Sequence, residues 1–464
     1  MLRRIFFLLV ISLLIASCTS GPNGQPLSYP TYDPFVGGPN AAANIGDPGA
    51  LDLPTRTPGP APSRAPLSVL IPTRNPAAAL TNPTPDLPRS LQTARAQAAP
   101  YIVQAGDTLG SIAESYGISV ESLEQANSLV ATSVLSIGQA LDIPAPDLGQ
   151  AGPSFKIIPD SELVYGPASA QFDLAGFIHS RNGYLAAYSQ DINEETLTGA
   201  QVVERVAQNY SVNPRLLLAL LDYRSKWVSG AEPAPGTADY PLGFVEQNHA
   251  GLYRQLAWAA SELNRGFYLW RANAVSSWVL GDGTVVPIDP TINAGTAGVQ
   301  NLFSVLDDRQ TWDTDVTAFG LFQSYFFLFG NPFDMAVEPL LPRDLSQPRM
   351  VWPFVHGANW AFTGGPHAAW DYGSAWAAMD FAPSDVMGCA VSGEWVTAVA
   401  DGFIVRASDG AVIEDLDGDG YEQTGWDVLY MHMSAQERVQ RGTYVYAGDH
   451  IGHPSCEVCV SNAA

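Results

Sequence analysis

The chain has 464 residues, enough for two to four domains, and 46% of them are hydrophobic, ample for globular cores. With 36 prolines and 42 glycines, however, much of the length lies outside packed domains. A formal net charge of −24 speaks against nucleic acid as a partner and against adhesion to anionic surfaces, and leaves open a near-neutral polymer such as a glycan.

Arg3 and Arg4 precede an apolar run, Ile5 to Ile15, which is followed by Ala16, Ser17 and Cys18. A short basic start, an apolar core too short to span a bilayer and a small-residue end make a secretory signal over residues 1–18. The Ile15-Ala16-Ser17-Cys18 ending resembles the lipobox of bacterial lipoproteins. That resemblance implies acylation of Cys18 and an exported lipoprotein held at the cell envelope by a lipid anchor in the membrane. Residues 19–98 are rich in proline and small residues, with no helical or strand period, and read as a disordered tether. A coil of ~80 residues spans about 50 Å root-mean-square, and proline stiffness extends it further.

Residues 99–146 read as one compact unit: a strand, two short helices and a closing strand. Gly106-Asp107 marks the first turn, Ile112, Ala113 and Tyr116 share a helix face, and Ser119 caps the second helix. Tyr101, Val103, Gly106, Asp107, Thr108, Leu109, Leu123, Asn127, Gly138, Gln139, Leu141, Ile143 and Pro144 resemble, in order, the pattern of the LysM module. The resemblance implies a βααβ fold that binds N-acetylglucosamine-containing glycan, peptidoglycan above all. It places the groove between Gly106, Asp107, Thr108 and Leu109 on one side and the loop of about 134–137, ending at Ile137, on the other.

Residues 147–184 read as a linker and 185–340 as a mostly helical domain. Thr198 caps a helix with Val202, Val203, Val206, Ala207 and Tyr210 on one face. Asn213-Pro214 opens a helix whose run from Leu216 to Leu221 is apolar on every side, which predicts burial. Further helices are predicted from Leu252 through Leu263 and over about 292–307. The passage Tyr210 to Trp227 weakly resembles the opening of lysozyme-like lytic transglycosylases, with Arg224-Ser225 where that family needs Glu-Ser. A guanidinium cannot act as a proton donor at neutral pH, so a non-catalytic helical domain is expected. Asp222 and Glu262 are the remaining acids weighed for that role, each more often a solvated helix carboxylate.

From residue 350 to 464 glycine is frequent and short β-like runs dominate, which predicts an all-β domain. The fold class is therefore multidomain: a βααβ module, a mostly helical middle and an all-β C-terminal domain. A catalytic zinc takes three protein ligands from His and carboxylate plus an open water position. His367 and Asp380 supply two, with Asp371 a competitor nearer in sequence. His432 is placed on a strand, sharing one face with Trp426, Val428 and Tyr430.

Three passages, GPHAAW…AAMDFAP, TAVADGFIV and LYMHMS…RVQRGTYVYAGDHIG, together resemble the lysostaphin-like zinc metalloendopeptidases. The resemblance implies zinc held by His367 and Asp380, His432 as a catalytic histidine beside the metal, and peptidoglycan peptides as substrate. It departs from the family at an insertion, AAWDYGSAWAAM, between the two ligands, and at the absence of a closing His-x-His pair before Ala464. His450 and His453, at i and i+3, would face opposite ways on a strand. The expectation is a zinc endopeptidase truncated before its third ligand; the alternative is a catalytically inactive peptidoglycan-binding envelope protein or hydrolase activator.

Two features remain. Asp415, Asp417 and Asp419 in DLDGDG resemble the start of a calcium loop, yet Trp426 stands where the twelfth-position glutamate belongs, so a polar hairpin turn is the stronger expectation. Cys389 and Cys456 are expected to form a disulfide, leaving Cys459 as an odd thiol.

Overall fold

The structure is a computed structural model, and it describes residues 89, 91, 95–130, 132–192, 195–337, 340–341, 345–385 and 388–457. The expected signal segment with Cys18, most of the expected tether, and Cys459 lie outside these residues. Among them, no helix is long and apolar enough to cross a membrane.

The first unit is βααβ. Strand β1 (Ala99–Ile102) pairs antiparallel with β2 (Ala140–Ile143), placing Tyr101 opposite Leu141. Between them lie α1 (Leu109–Ser115) and α2 (Val120–Asn127). Ser119 caps α2 by accepting from the Ser122 amide at 3.1 Å, as its sequence position predicts. The Asn127 side chain exchanges two hydrogen bonds with the Asp142 backbone, both 2.7 Å, tying the end of α2 to β2. Val103, Leu109, Ile112, Ala113, Ile118, Leu123, Leu141 and Ile143 form its core.

The helical domain begins earlier than the sequence pattern indicated. Short helices α3 (Asp160–Leu163), α4 (Pro167–Ala170), α5 (Leu174–Arg181) and α6 (Tyr184–Ala187) precede the hairpin β3 (Ser189–Ile192) and β4 (Glu195–Thr198). Ile157, Ile158, Leu163, Leu174 and Ile178 are buried in the same core as the later helices. Residues 147–184 are therefore not a linker throughout: from about residue 156 they are part of the packed domain. Arg89 and Leu91, assigned to the tether, also lie against it, Arg89 donating to the Trp270 carbonyl.

The main helices follow: α7 (Gly199–Tyr210), α8 (Pro214–Ser225), α9 (Leu252–Arg271), α10 (Ala294–Leu306), α11 (Arg309–Asp315) and α12 (Leu321–Phe329). The hairpin β5 (Ser277–Val279) with β6 (Val285–Pro287) lies between α9 and α10. Thr198 and Gln201 form a reciprocal capping box on α7. Leu216 to Leu221 are all at most 1% exposed, so α8 is surrounded on every side, as its composition predicts. Helices α9 and α10 cross at two glycines: a Cβ on Gly266 would lie 2.5 Å from that of Asn301, and one on Gly298 would lie 2.6 Å from the Leu263 carbonyl oxygen.

Two ionic clusters are built into this domain. Glu162 is fully buried and accepts from Asn213 at 2.9 Å, from Arg215 at 2.9 Å and from the Tyr325 hydroxyl at 2.5 Å. Arg224 bridges Asp307 at 3.1 Å and Asp315 at 3.3 Å, while the Tyr223 hydroxyl donates to Asp315 at 2.7 Å.

The C-terminal domain is all β. The hairpin β7 (Trp360–His367) with β8 (Ala378–Pro383) is a two-stranded sheet of its own. Strands β9 (Val396–Thr397), β10 (Gly402–Ser408), β11 (Ala411–Asp415), β12 (Asp427–Met431), β13 (Tyr444–Val445) and β14 (His450–Gly452) make a four-stranded antiparallel sheet, order β12-β11-β10-β13, and the pair β14-β9. Val396, Ala398, Ile404, Val412, Tyr430, Met433, Val445 and Ile451 are in its core. The predicted Cys389–Cys456 disulfide is present.

This bridge spans a sequence separation of 67 residues. Its removal in Cys389→Ser/Cys456→Ser is expected to cost about 4 kcal/mol on a chain-entropy estimate. Denaturant unfolding of the C-terminal domain checks this: the midpoint falls, and an unchanged midpoint would count against it. A second expectation concerns pH. Burial raises the Asp315 carboxyl to about 6, with Asp307 adding to the rise and Tyr223 and Arg224 opposing it. An unfolded aspartate titrates near ~3.9. The contribution of Asp315 is thus complete below that pH and is lost as pH rises through 6. Melting temperatures from pH 4 to 7.5 should fall less steeply in Asp315→Asn than in the wild type.

Candidate functional site

His367 and Asp380 face each other across the β7–β8 hairpin. The register sets Gly364 opposite Asp380 and His367 opposite Ala378, with irregularities on either side of Gly364 that re-aim the side chains. A Cβ on Gly364 would come within 3.0 Å of Asp380 Oδ2, so the bare glycine leaves room for the carboxylate. His367 Nε2 lies 2.8 Å from Asp380 Oδ2, and Nδ1 lies 2.8 Å from the Ala368 carbonyl oxygen. Burial pulls the imidazole pKa down, but the Ala368 carbonyl and the Asp380 carboxylate outweigh it, and the net direction is up. The side chains are 27% and 40% exposed, open to solvent on one side.

One imidazole nitrogen and one carboxylate oxygen converging on a point, with the other ring nitrogen on a backbone carbonyl, suits two ligands of a zinc ion and their supporting shell. Three are needed. Among the described residues, three metal-binding side chains converge at Asp415, Asp417 and Asp419, and none joins His367 and Asp380 as a third. The competitor Asp371 does not join them: it has φ 52 and lies in the connection that packs on the helical domain, where desolvation pushes its carboxyl up against the hydrogen bonds from Tyr372 and Ser261.

His432 is not on the alternating strand face expected for it. Strand β12 ends at Met431, and His432 takes the left-handed conformation, φ 61. Its Nδ1 lies 3.0 Å from the Glu457 carbonyl oxygen and its own carbonyl accepts from the Ser455 amide at 2.7 Å, so the segment carrying Cys456 folds over it. His450 and His453 both pack on Trp395, at ring distances of 4.5 and 3.9 Å. His453 also contacts the Glu394 carbonyl and the Glu437 carboxylate.

In the DLDGDG turn the carboxylate oxygens of Asp415, Asp417 and Asp419 lie within 4.8 Å of one another. Asp415 is fully buried and accepts from the amides of Asp417, Gly418 and Gly420 at 3.1, 2.8 and 2.7 Å, so it organises the turn itself. Sequence inspection missed Asp427 beside them. Burial, then the charges of Asp415 and Asp417, raise its carboxyl to about 9.

In the βααβ unit, Asp107 accepts from the Tyr101 hydroxyl at 2.7 Å and the Gln104 amide at 2.6 Å, fixing the loop after β1. Thr108 and Ser111 cap α1 reciprocally, at 2.9 and 3.0 Å. Gly106 turns the loop with φ 95. The Leu109 side chain belongs to the core. Across from them, Val134 and Ile137 are 90% and 75% exposed and stand outside the core.

In the helical domain the position of the transglycosylase glutamate holds Arg224, committed to Asp307 and Asp315. Glu262, weighed as an acid, is buried and accepts from Asn301 at 2.8 Å; Asp222 accepts from the Ser229 amide and hydroxyl at 2.9 and 2.7 Å.

Comparison with known families agrees with the two upstream units. The LysM domain matches residues 101–144, and the N-terminal domain of LasA matches residues 156–341. The second match starts where the packed helices start, not at residue 185, and it takes the place of the weak transglycosylase resemblance. A curated relative, the teichoic acids export ATP-binding protein TagH of Lactococcus lactis subsp. lactis (strain IL1403), is 52% identical over 46 residues. That alignment spans 10% of this chain and 10% of the relative's length. No solved structure matches the chain. The chain thus carries a LysM domain over residues 101–144, followed by a region similar to the N-terminal domain of LasA over residues 156–341.

Proposed function

We propose that this chain is an exported, lipid-anchored protein of the bacterial cell envelope. Its LysM domain binds peptidoglycan, and its β domain, given a third zinc ligand from outside the described residues, acts as a zinc endopeptidase on peptidoglycan peptides. The supporting observation is the order of parts: a LysM domain, a LasA N-terminal domain, then a β domain in which His367 and Asp380 converge across one hairpin. When bound, zinc would supply Lewis-acid polarisation of a peptide carbonyl and acidify a bound water. His367 offers Nε2 to it while Nδ1 is held on Ala368, and Asp380 offers Oδ2. His432 is the candidate for moving a proton or steadying the oxyanion.

A second reading is a wall-binding protein, or activator of a hydrolase, without catalysis of its own. It is favoured by the donor set, since two ligands rather than three converge among the described residues.

Two measurements separate these readings. On the first, the purified chain binds one zinc, His367→Ala loses it, and incubation with sacculi releases new peptide amino groups in a chelator-sensitive manner. Sacculus binding with no amine release and no zinc leaves the second reading standing. For the glycan module, Ile137→Asp is expected to weaken sacculus binding roughly tenfold without lowering the melting temperature, since burying one such side chain contributes about 1.5–3 kcal/mol. Undiminished binding would remove the 134–137 loop from the groove.

A further inference from the structure

Of the ten residues joining β7 to β8, 368–377, Trp370, Tyr372 and Gly373 pack on the helical domain. Trp370 packs against the helical core, its ring 6.4 Å from that of Tyr210. The Tyr372 hydroxyl donates to Glu262 Oε1 on α9 at 2.5 Å, and the other oxygen of Glu262 accepts from Asn301 on α10 at 2.8 Å. At Gly373 the main chain lies directly on α9: a Cβ there would stand 1.8 Å from the Ser261 carbonyl oxygen and 2.8 Å from the Ser261 Cα. No residue with a side chain fits without lifting the connection away.

The same connection starts at His367 and runs back to Asp380 through β8. Its hairpin is not hydrogen-bonded to the four-stranded sheet. An isolated two-stranded hairpin is marginal in water. This one is supported at one end by Trp360, which packs on the β-domain core, and at the other by the docked connection. Two further contacts join the domains near the dock: Arg406 donates to Asn209 at 2.7 Å, and Arg205 lies 3.6 Å from Asp409.

We propose that the LasA-type helical domain positions the metal hairpin, with Trp370, Tyr372 and Gly373 as positioning residues that hold His367 and Asp380 in convergence. This rests on the zinc assignment of the preceding subsection. A ligand pair fixed in advance binds metal more tightly than one that must be ordered on binding, because the ordering entropy is already spent. The helical domain contributes no ligand; it sets the geometry of two that lie elsewhere.

The test uses the full chain as wild type, Gly373→Val, Tyr372→Phe and His367→Ala. Zinc affinity is read by competition with a chromophoric chelator, and amide hydrogen exchange over 360–383 is read without metal. The inference expects Gly373→Val to lower zinc affinity at least tenfold and to lose protection in β7 and β8, with protection of α8 and β10 unchanged. Tyr372→Phe, a milder change that leaves the fold intact, should show the same pattern at several-fold. Wild-type protection of the hairpin in both variants overturns the inference, as does wild-type zinc affinity in Gly373→Val. If the wild type takes up no more zinc than His367→Ala, the zinc assignment fails, and the exchange data alone then decide whether the helical domain orders the hairpin.

Discussion

A carboxylate and a guanidinium withdrawn from water hold the middle of this chain together. Glu162 has no exposed surface and Arg215 is 7% exposed, and they meet at 2.9 Å. Asn213 and Tyr325 supply the remaining hydrogen bonds to Glu162, which makes such burial tolerable; removing one partner of a buried pair costs about 3–5 kcal/mol. The pair joins α3 to the first turn of α8, and Tyr325 brings in α12. Helix α8 is apolar on every side and needs neighbours all around it. The ionic cluster fixes which neighbour takes the N-terminal end, and so draws residues 156–181 into the domain.

That dependence explains what could be seen in the sequence and what could not. The LysM domain was legible throughout because its signals are local: a turn at Gly106, a cap at Ser119 and apolar spacing inside helices of seven and eight residues. The caps at Thr198 and Asn213 and the full burial of Leu216 to Leu221 were legible for the same reason. Residues 156–181 were not. Their core contacts are single side chains in helices of four to eight residues, too short to show a period, and the partners of Glu162 lie 51 to 163 positions away. His432 was misplaced because alternation along β12 says nothing about where a strand stops, and this one stops one residue short.

The candidate site shows the same division. Pairing His367 with Asp380 followed from a motif, and the 2.8 Å contact across the hairpin agrees with it. The insertion between them read as a departure from the expected spacing and nothing more. No local pattern announces that Tyr372 will meet Glu262, 110 positions earlier, or that Gly373 stands where a helix carbonyl leaves no room. What looked like an interruption within one domain is a joint between two.

The disulfide has a consequence for timing. Cys456 lies between Ser455 and Glu457, the two residues whose backbones grip His432, and its partner Cys389 follows the β7–β8 hairpin. Until those sulfurs join, the segment over His432 is held by hydrogen bonds and the Arg438–Glu457 ion pair, with no covalent tie. Protein disulfides persist in oxidising compartments and are rare where glutathione keeps thiols reduced. The surroundings of His432 are therefore completed by a covalent step that a reducing cytosol withholds, so this corner of the domain matures according to where the chain is and not only according to how it folds.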